Sequence, residues 1–150
     1  VDPSHLGHKA LAVNLSAPFH PTQAAIPQLL EAGAAVVNVT SCAAFAGQAY
    51  TAAYCATKAG LTHMTKALAM EYMHQPIRFN AVAPGGMMTA LAAGFQNLQD
   101  ADASLVKRYS PLRGVVEIDD VAEMVAFLAS DAARGYHGAS ISIDNGITAG

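Results

Sequence analysis

Tyr54 and Lys58 stand four residues apart in a stretch, residues 52–73, whose composition predicts a helix, so both side chains leave the same helical face. A phenol ionises near ~10 and carries protons poorly at neutral pH. A neighbouring ammonium favours the phenolate and lowers that pKa. A tyrosine tuned in this way exchanges a proton with a substrate hydroxyl. The pair alone is weak ground, because five tyrosines and four lysines in 150 residues produce such a spacing by accident in roughly one chain in eight. An ordinary surface helix with a solvated lysine has the same spacing.

The elements around the pair decide whether it can work. Residues 5–30 are rich in Leu, Ala, Gln and Glu and predict a helix. Pro18, Pro21 and Pro27 bend or break it, and it ends near Gly33. Residues 35–40 form a short, nearly continuous apolar and β-branched run, as a strand covered on both faces of a parallel sheet does. A loop with Ala44, Gly47 and Gln48 leads to the helix 52–73. Its apolar stripe reads as Leu61, Met64, Leu68 and Tyr72, and Gln75-Pro76 ends it. Residues 77–82 predict a second strand, followed by Pro84-Gly85-Gly86. Residues 87–112 are weakly helical and too long for an ordinary connection, the mark of a lid or binding loop. Within them Met87, Met88, Leu91 and Phe95 suit a pocket lining and core packing equally. A helix opens near Glu117 with Asp119 and Asp120 in its first turn and Val121, Met124, Val125 and Leu128 inside. Gly135 and Gly138 break it, and residues 139–144 alternate as a last strand.

Strands separated by helices mean βαβ units, right-handed crossovers and a parallel sheet. The fold class is therefore α/β, with about three strands and flanking helices in one domain over residues 1–150. In such sheets ligands bind beyond the carboxyl ends of the strands. That rule points to Ser41, just past the first strand, to Pro84-Gly85, just past the second, and to the start of the helix carrying Tyr54.

Composition removes several classes of function. Net charge is −3 and the eight Lys and Arg residues are scattered, so nucleic acid has no electrostatic footprint to meet. No apolar run reaches the ~18–20 residues of a membrane span. Two cysteines, Cys42 and Cys55, are too few for a disulfide framework and read as small packing residues in a reducing, cytoplasmic setting. His5 and His8 are close in sequence, but no Cys, Asp or Glu completes a zinc pattern around them, and no metal is expected. The hydrophobic share, 53%, is high and the charged share, 13%, is low. Either much sheet is buried under few polar loops, or surfaces are built to be covered by further chain.

Ser41 precedes Tyr54 by thirteen residues, and Asn14 precedes Ser41 by twenty-seven. With that spacing, in Val13-Asn14-Leu15, Thr40-Ser41 and Tyr54-Cys55-Ala56-Thr57-Lys58, the chain resembles the short-chain dehydrogenase/reductase family and its Asn-Ser-Tyr-Lys tetrad. Further matches are the run Ile77-Arg78-Phe79-Asn80-Ala81-Val82-Ala83-Pro84-Gly85, then Thr89, Pro111-Leu112-Arg113 and Phe127-Leu128-Ala129-Ser130-Asp131. Asp144-Asn145-Gly146 departs from the family's usual Asp-Gly-Gly. The resemblance implies an NAD- or NADP-dependent enzyme that interconverts a hydroxyl and a carbonyl in a small-molecule alcohol or ketone. It implies Tyr54 as acid/base and Lys58 as the group that lowers the tyrosine pKa and holds the nicotinamide ribose. Ser41 would hold the substrate oxygen, and Asn14 a water that relays protons from Lys58. Pro84, Gly85, Met87 and Thr89 would grip the nicotinamide carboxamide.

The family's fold begins with a strand, a glycine-rich turn and a helix N-terminus that holds the pyrophosphate. Neither that turn nor an Asn-Asn-Ala-Gly segment occurs here, so the expected fold is the C-terminal part of a Rossmann-like sheet without its first βα units. The choice between NAD and NADP goes unread, and the 150-residue chain alone is not expected to be a working dehydrogenase. Two other readings remain open: a related epimerase or dehydratase with the same Tyr-x-x-x-Lys pair, or a non-catalytic remnant. The family also implies a homodimer or homotetramer through the helices 5–30 and 52–73, where Ala56, Ala59, Gly60 and Ala67 allow close approach.

Overall fold

A strand inside a parallel sheet needs cover on both its faces, and three parallel strands set the architecture of this chain. The computed structural model describes residues 3–89, 101–110 and 113–149. Strands β1 (Ala35–Val39), β2 (Arg78–Pro84) and β3 (Ser140–Ile143) lie side by side in that order and run parallel. β2 is the central strand, with Val36 opposite Phe79 on one side and Val82 opposite Ile141 on the other. The α/β class and the strand order follow the sequence reading, with β2 running two residues further, to Pro84. Of the loop residues named above, Leu91, Phe95 and the Pro111-Leu112 pair lie outside the described residues.

The first helical segment is bent for a definable reason. Helix α1 (Pro3–Leu11) passes through a π turn (Ala12–Ser16) into α2 (Ala17–Ala32). Pro18 has no N–H to give the carbonyl of Asn14, and the register there slips by one: the Ala17 N–H reaches Ala12 O. Pro21 and Pro27 stay inside the helix. Gly33, at φ 61°, closes α2 with its N–H on the Leu29 and Leu30 carbonyls and delivers the chain straight into β1.

Helix α3 (Ala52–Glu71) corrects the sequence reading of its buried face. Leu61 is buried, but Met64, Leu68 and Tyr72 are only half-buried. The deepest line is Thr57, Leu61, Thr65 and Ala69. Threonine tolerates this because its hydroxyl turns back on the helix. Thr57 Oγ1 donates to Tyr54 O at 2.8 Å and Thr65 Oγ1 to Leu61 O at 2.8 Å. Thr65 then also accepts from Asn38 Nδ2 of β1 at 2.9 Å, which pins helix to sheet.

Two cores result. On one face Phe79 and Ile77 pack with Ala69, Leu29 and Leu30 beneath α2 and α3. On the other, Val82 packs with Val121, Leu128 and Ile141 beneath α5 (Ile118–Ala129). A short helix, α4 (Ala103–Lys107), precedes α5.

The polar side chains of β2 lock the C-terminal segment. Arg78 donates to Leu128 O and Ala133 O at 3.0 Å each and to Ser130 O at 2.9 Å. Leu128 O lies in the last turn of α5, and Ser130 O and Ala133 O, which also accept the Ala133 and Tyr136 N–H groups, belong to the turn that follows it. Asn80, fully buried, donates to Tyr136 O and accepts from the Ala139 N–H. Replacing Arg78 with Met is expected to cost about 2 kcal/mol, because one guanidinium joins β2 to three carbonyls of the segment that closes α5. Arg78→Lys should recover only part, since an ammonium lacks the planar fork. Urea denaturation midpoints measure both, and an Arg78→Met midpoint equal to wild type would remove the clamp from the account.

Candidate active site

Thr40 N–H still bonds to Val82 O, so the pairing of β1 with β2 lasts one residue past Val39, β2 runs on to Pro84, and the chain leaves both strands at one edge of the sheet. Ser41 is the first residue beyond that bond. It is extended (φ −170°, ψ 155°), and its Oγ accepts from the Ala43 N–H at 3.2 Å, capping a short 3₁₀ turn, Cys42–Ala44. Across the gap, Gly85 leaves β2. A Cβ at Gly85 would lie 2.7 Å from Asp144 Cα, so only glycine lets the loop pass this close to the turn after β3. Asn145 holds φ 51° there, a conformation asparagine tolerates, and its Nδ2 donates to the Gly114 and Val115 carbonyls.

Between these ends lies a cavity of about 230 Å³. Ser41, Tyr54, Gly85, Met87 and Thr89 line it together. Lys58 does not line it but sits beside Tyr54, with Nζ 5.7 Å from the ring centroid. Pro84 is buried at the end of β2, behind the lining. Asn14 lies further back. Its Nδ2 donates to Thr57 Oγ1, at 3.3 Å, one turn past Tyr54.

Sequence reasoning missed four neighbours. Cys42, buried, and Thr51 line the cavity beside Ser41 and Tyr54. Gln48 lines it too, and its Nε2 points at Cys42 Sγ, 3.5 Å away. One amide in a run of Ala, Phe and Gly was the available signal. Tyr109 arrives from the segment after α4, and its hydroxyl donates to Ala49 O at 3.3 Å. The Tyr50 hydroxyl in turn accepts from the Asp102 N–H at 2.9 Å, so two tyrosines fasten residues 101–110 to the loop before α3. Nothing in the sequence paired them.

Electrostatics here are set by burial. It pushes the Tyr54 phenol above its ordinary pKa, and a hydrogen bond with Ser41 opposes that only in part. Burial also lowers the Lys58 pKa. Loss of water around the hydroxyl sets the direction for the phenol in this chain by itself, outweighing the Ser41 hydrogen bond, and the lowering expected of the Lys58 ammonium is left to the filled site. That ammonium donates to Val39 O at 3.0 Å.

The chain has clear relatives. A family model described as enoyl-(acyl carrier protein) reductase matches residues 5–148. An uncharacterized short-chain type dehydrogenase/reductase of Sinorhizobium fredii is 37% identical over 138 residues, 92% of this chain and 25% of that protein. Cis-4-hydroxycyclohexanecarboxylate dehydrogenase of Sinomonas cyclohexanicum is 43% identical over 115 residues, 77% of this chain and 45% of that one. Among solved structures, an actinorhodin polyketide ketoreductase with NADPH superposes with TM-score 0.84 at 28% identity, covering 96% of this chain and 59% of its own. A 4-hydroxyisoleucine dehydrogenase complexed with NADH gives 0.83 at 33%, covering 97% and 60%. The chain thus spans half or less of these two relatives and about three-fifths of the two solved structures.

The raised Tyr54 pKa has a measurable consequence. An unfolded phenol gives up its proton near ~10 and the folded one later, so the stabilisation is complete below that pH and lost as pH climbs through the folded value. A spectrophotometric titration of phenolate absorbance should show a late component that Tyr54→Phe removes. A titration curve unchanged in shape by Tyr54→Phe would contradict the burial argument.

Proposed function

The chain belongs to the short-chain dehydrogenase/reductase family, and we propose that it is the catalytic half of an oxidoreductase that interconverts a hydroxyl and a carbonyl with NAD or NADP. One observation carries this reading: a single cavity beyond the carboxyl ends of β1 and β2 gathers Ser41, Tyr54, Gly85, Met87 and Thr89, with Lys58 beside Tyr54. Both solved relatives named above hold a nicotinamide cofactor, one NADPH and the other NADH.

The residues present suit such a cofactor. The Met87 N–H meets no acceptor among the described residues, and it stands in the cavity wall next to a backbone stripped of side chains at Gly85 and Gly86. A flat ring with a carboxamide fits that wall, and Pro84, Gly85, Met87 and Thr89 are the residues proposed to grip it. When bound, the nicotinamide supplies or accepts the hydride. Tyr54 passes a proton to or from the substrate oxygen. Ser41 shares a hydrogen bond with Tyr54, so the two hydroxyls can hold that one oxygen between them. Lys58 is assigned the ribose and the lowering of the Tyr54 pKa once the site is filled. Asn14 is assigned the water through which Lys58 exchanges protons with solvent, and its bond to Thr57 fixes it against α3.

Association and location follow as further parts of the proposal. An open groove of about 660 Å³ runs between the π turn, α2 and α3, lined by Leu15, Phe19, Gly60, Met64 and Ala67. A second copy seated there would give a homodimer or homotetramer, and sedimentation of the complete enzyme as a monomer at high concentration would refute it. Two free cysteines suit the reducing cytoplasm, and among the described residues no helix is long and apolar enough to cross a membrane.

In the complete enzyme Tyr54→Phe is expected to lower kcat by at least about 100-fold while cofactor affinity stays near wild type, because only a proton carrier is lost. Lys58→Ala should damage both. Steady-state kinetics with cofactor titration decides, and near-normal turnover by Tyr54→Phe would end the role given to its hydroxyl. The 150-residue chain by itself should bind NADH and NADPH weakly. The retained residues reach only the nicotinamide end, and positioning is worth many kcal/mol. Calorimetric titration reading micromolar affinity would overturn this.

A further inference from the structure

Resting on the dehydrogenase reading, we propose that the site takes an uncharged alcohol or ketone and that Gln48 is a specificity-determining residue that receives a second hydroxyl of the substrate. The first ground is charge. Among the described residues, none that lines the cavity is ionic at neutral pH. The charge felt at Cys42, in the cavity wall, is the Asp144 carboxylate, which is negative. A substrate carboxylate entering here would lose its water and find no cation among the described residues of the wall, the costliest kind of burial. The nearby ammonium, Lys58, stands outside the lining, beside Tyr54 and on Val39 O.

The second ground is the state of Gln48. Its amide N–H is spent on a thiol sulfur at 3.5 Å, a weak acceptor, and its amide oxygen accepts no hydrogen bond among the described residues. Thr51 anchors the same turn, with N–H and hydroxyl both on the Gln48 carbonyl, so the residue's backbone is fixed while its side chain keeps an acceptor free in the cavity. A neutral hydroxyl satisfies that acceptor, whereas a carboxylate, which only accepts, meets it with like polarity. This sets the chain apart from the relative whose name places a carboxylate on its cyclohexane substrate.

The test uses the holoenzyme with NAD or NADP and three matched probes: cyclohexanol, cyclohexane-1,4-diol and 4-hydroxycyclohexanecarboxylate. Expected kcat/KM falls by at least about 100-fold from either neutral alcohol to the carboxylate. The diol should exceed cyclohexanol by about 3- to 10-fold. Gln48→Leu should abolish the advantage of diol over cyclohexanol, and Gln48→Arg should raise the carboxylate relative to both. A carboxylate used as well as the neutral probes overturns the charge argument while leaving the dehydrogenase reading intact. A diol-to-cyclohexanol ratio unchanged in Gln48→Leu overturns the role of Gln48. No turnover of any probe, in either direction with either cofactor, defeats the dehydrogenase reading itself and this inference with it.

Discussion

The central strand β2 constrains everything else. It is paired on both edges and covered on both faces, yet its sequence carries two polar side chains, Arg78 and Asn80. A buried polar group without a partner costs more than most contacts return. Both therefore reach for backbone: Arg78 for Leu128 O in the last turn of α5 and two carbonyls of the turn after it, Asn80 for Tyr136 O and the Ala139 N–H. Those bonds bring the chain back alongside β2 at residue 139, and β3 starts one residue later. The turn at Asp144 then falls against Gly85, and the loop leaving β2 is steered to the cavity. A polar requirement inside one strand thus sets the position of a loop that lines the cavity.

His137 repeats the logic at the other end of the sheet. Its Nε2 lies 2.7 Å from Ala69 O, near the end of α3, and its Nδ1 accepts from the Phe79 N–H. The N–H of Phe79 faces β3 before β3 has begun, so without this ring it would be a buried donor with no acceptor. One side chain therefore joins helix, central strand and C-terminal segment where the ladder is incomplete.

The strands were legible because β-branched runs between helical stretches leave few alternatives, and the edge that holds the site was legible because ligands gather at the carboxyl ends of parallel strands. Tyr54, Ser41 and Gly85 could be placed there from position alone. The buried face of α3 could not, since Thr57 and Thr65 look like solvent-facing residues until their hydroxyls are seen to bond within their own helix. The bend at Asn14 was expected from three prolines, but which one does the work depends on which N–H is missing at which carbonyl, and the answer is Pro18. Gln48 and Tyr109 were invisible for another reason. Their meeting, across 61 residues, depends on how residues 101–110 lie on the turn before α3, and no local pattern encodes that.

Lys58 shows how fold and site share one group. Arg78 N–H bonds to Ala34 O and Thr40 N–H to Val82 O, so the even-numbered residues of β1 face β2. The odd ones face the open edge, and Val39 O is among them. An ammonium has three donors, and Lys58 gives one to this carbonyl. That bond offsets part of the cost of its burial and fixes the side chain beside Tyr54. The other donors stay available on the side of the phenol, so a ribose hydroxyl can be met there without breaking the anchor. The pKa directions agree with such a resting state: both Tyr54 and Lys58 are shifted toward their neutral forms by burial. A site poised that way gains the most when an added charge or hydrogen bond favours the ionised phenol, because little water remains to compete for it.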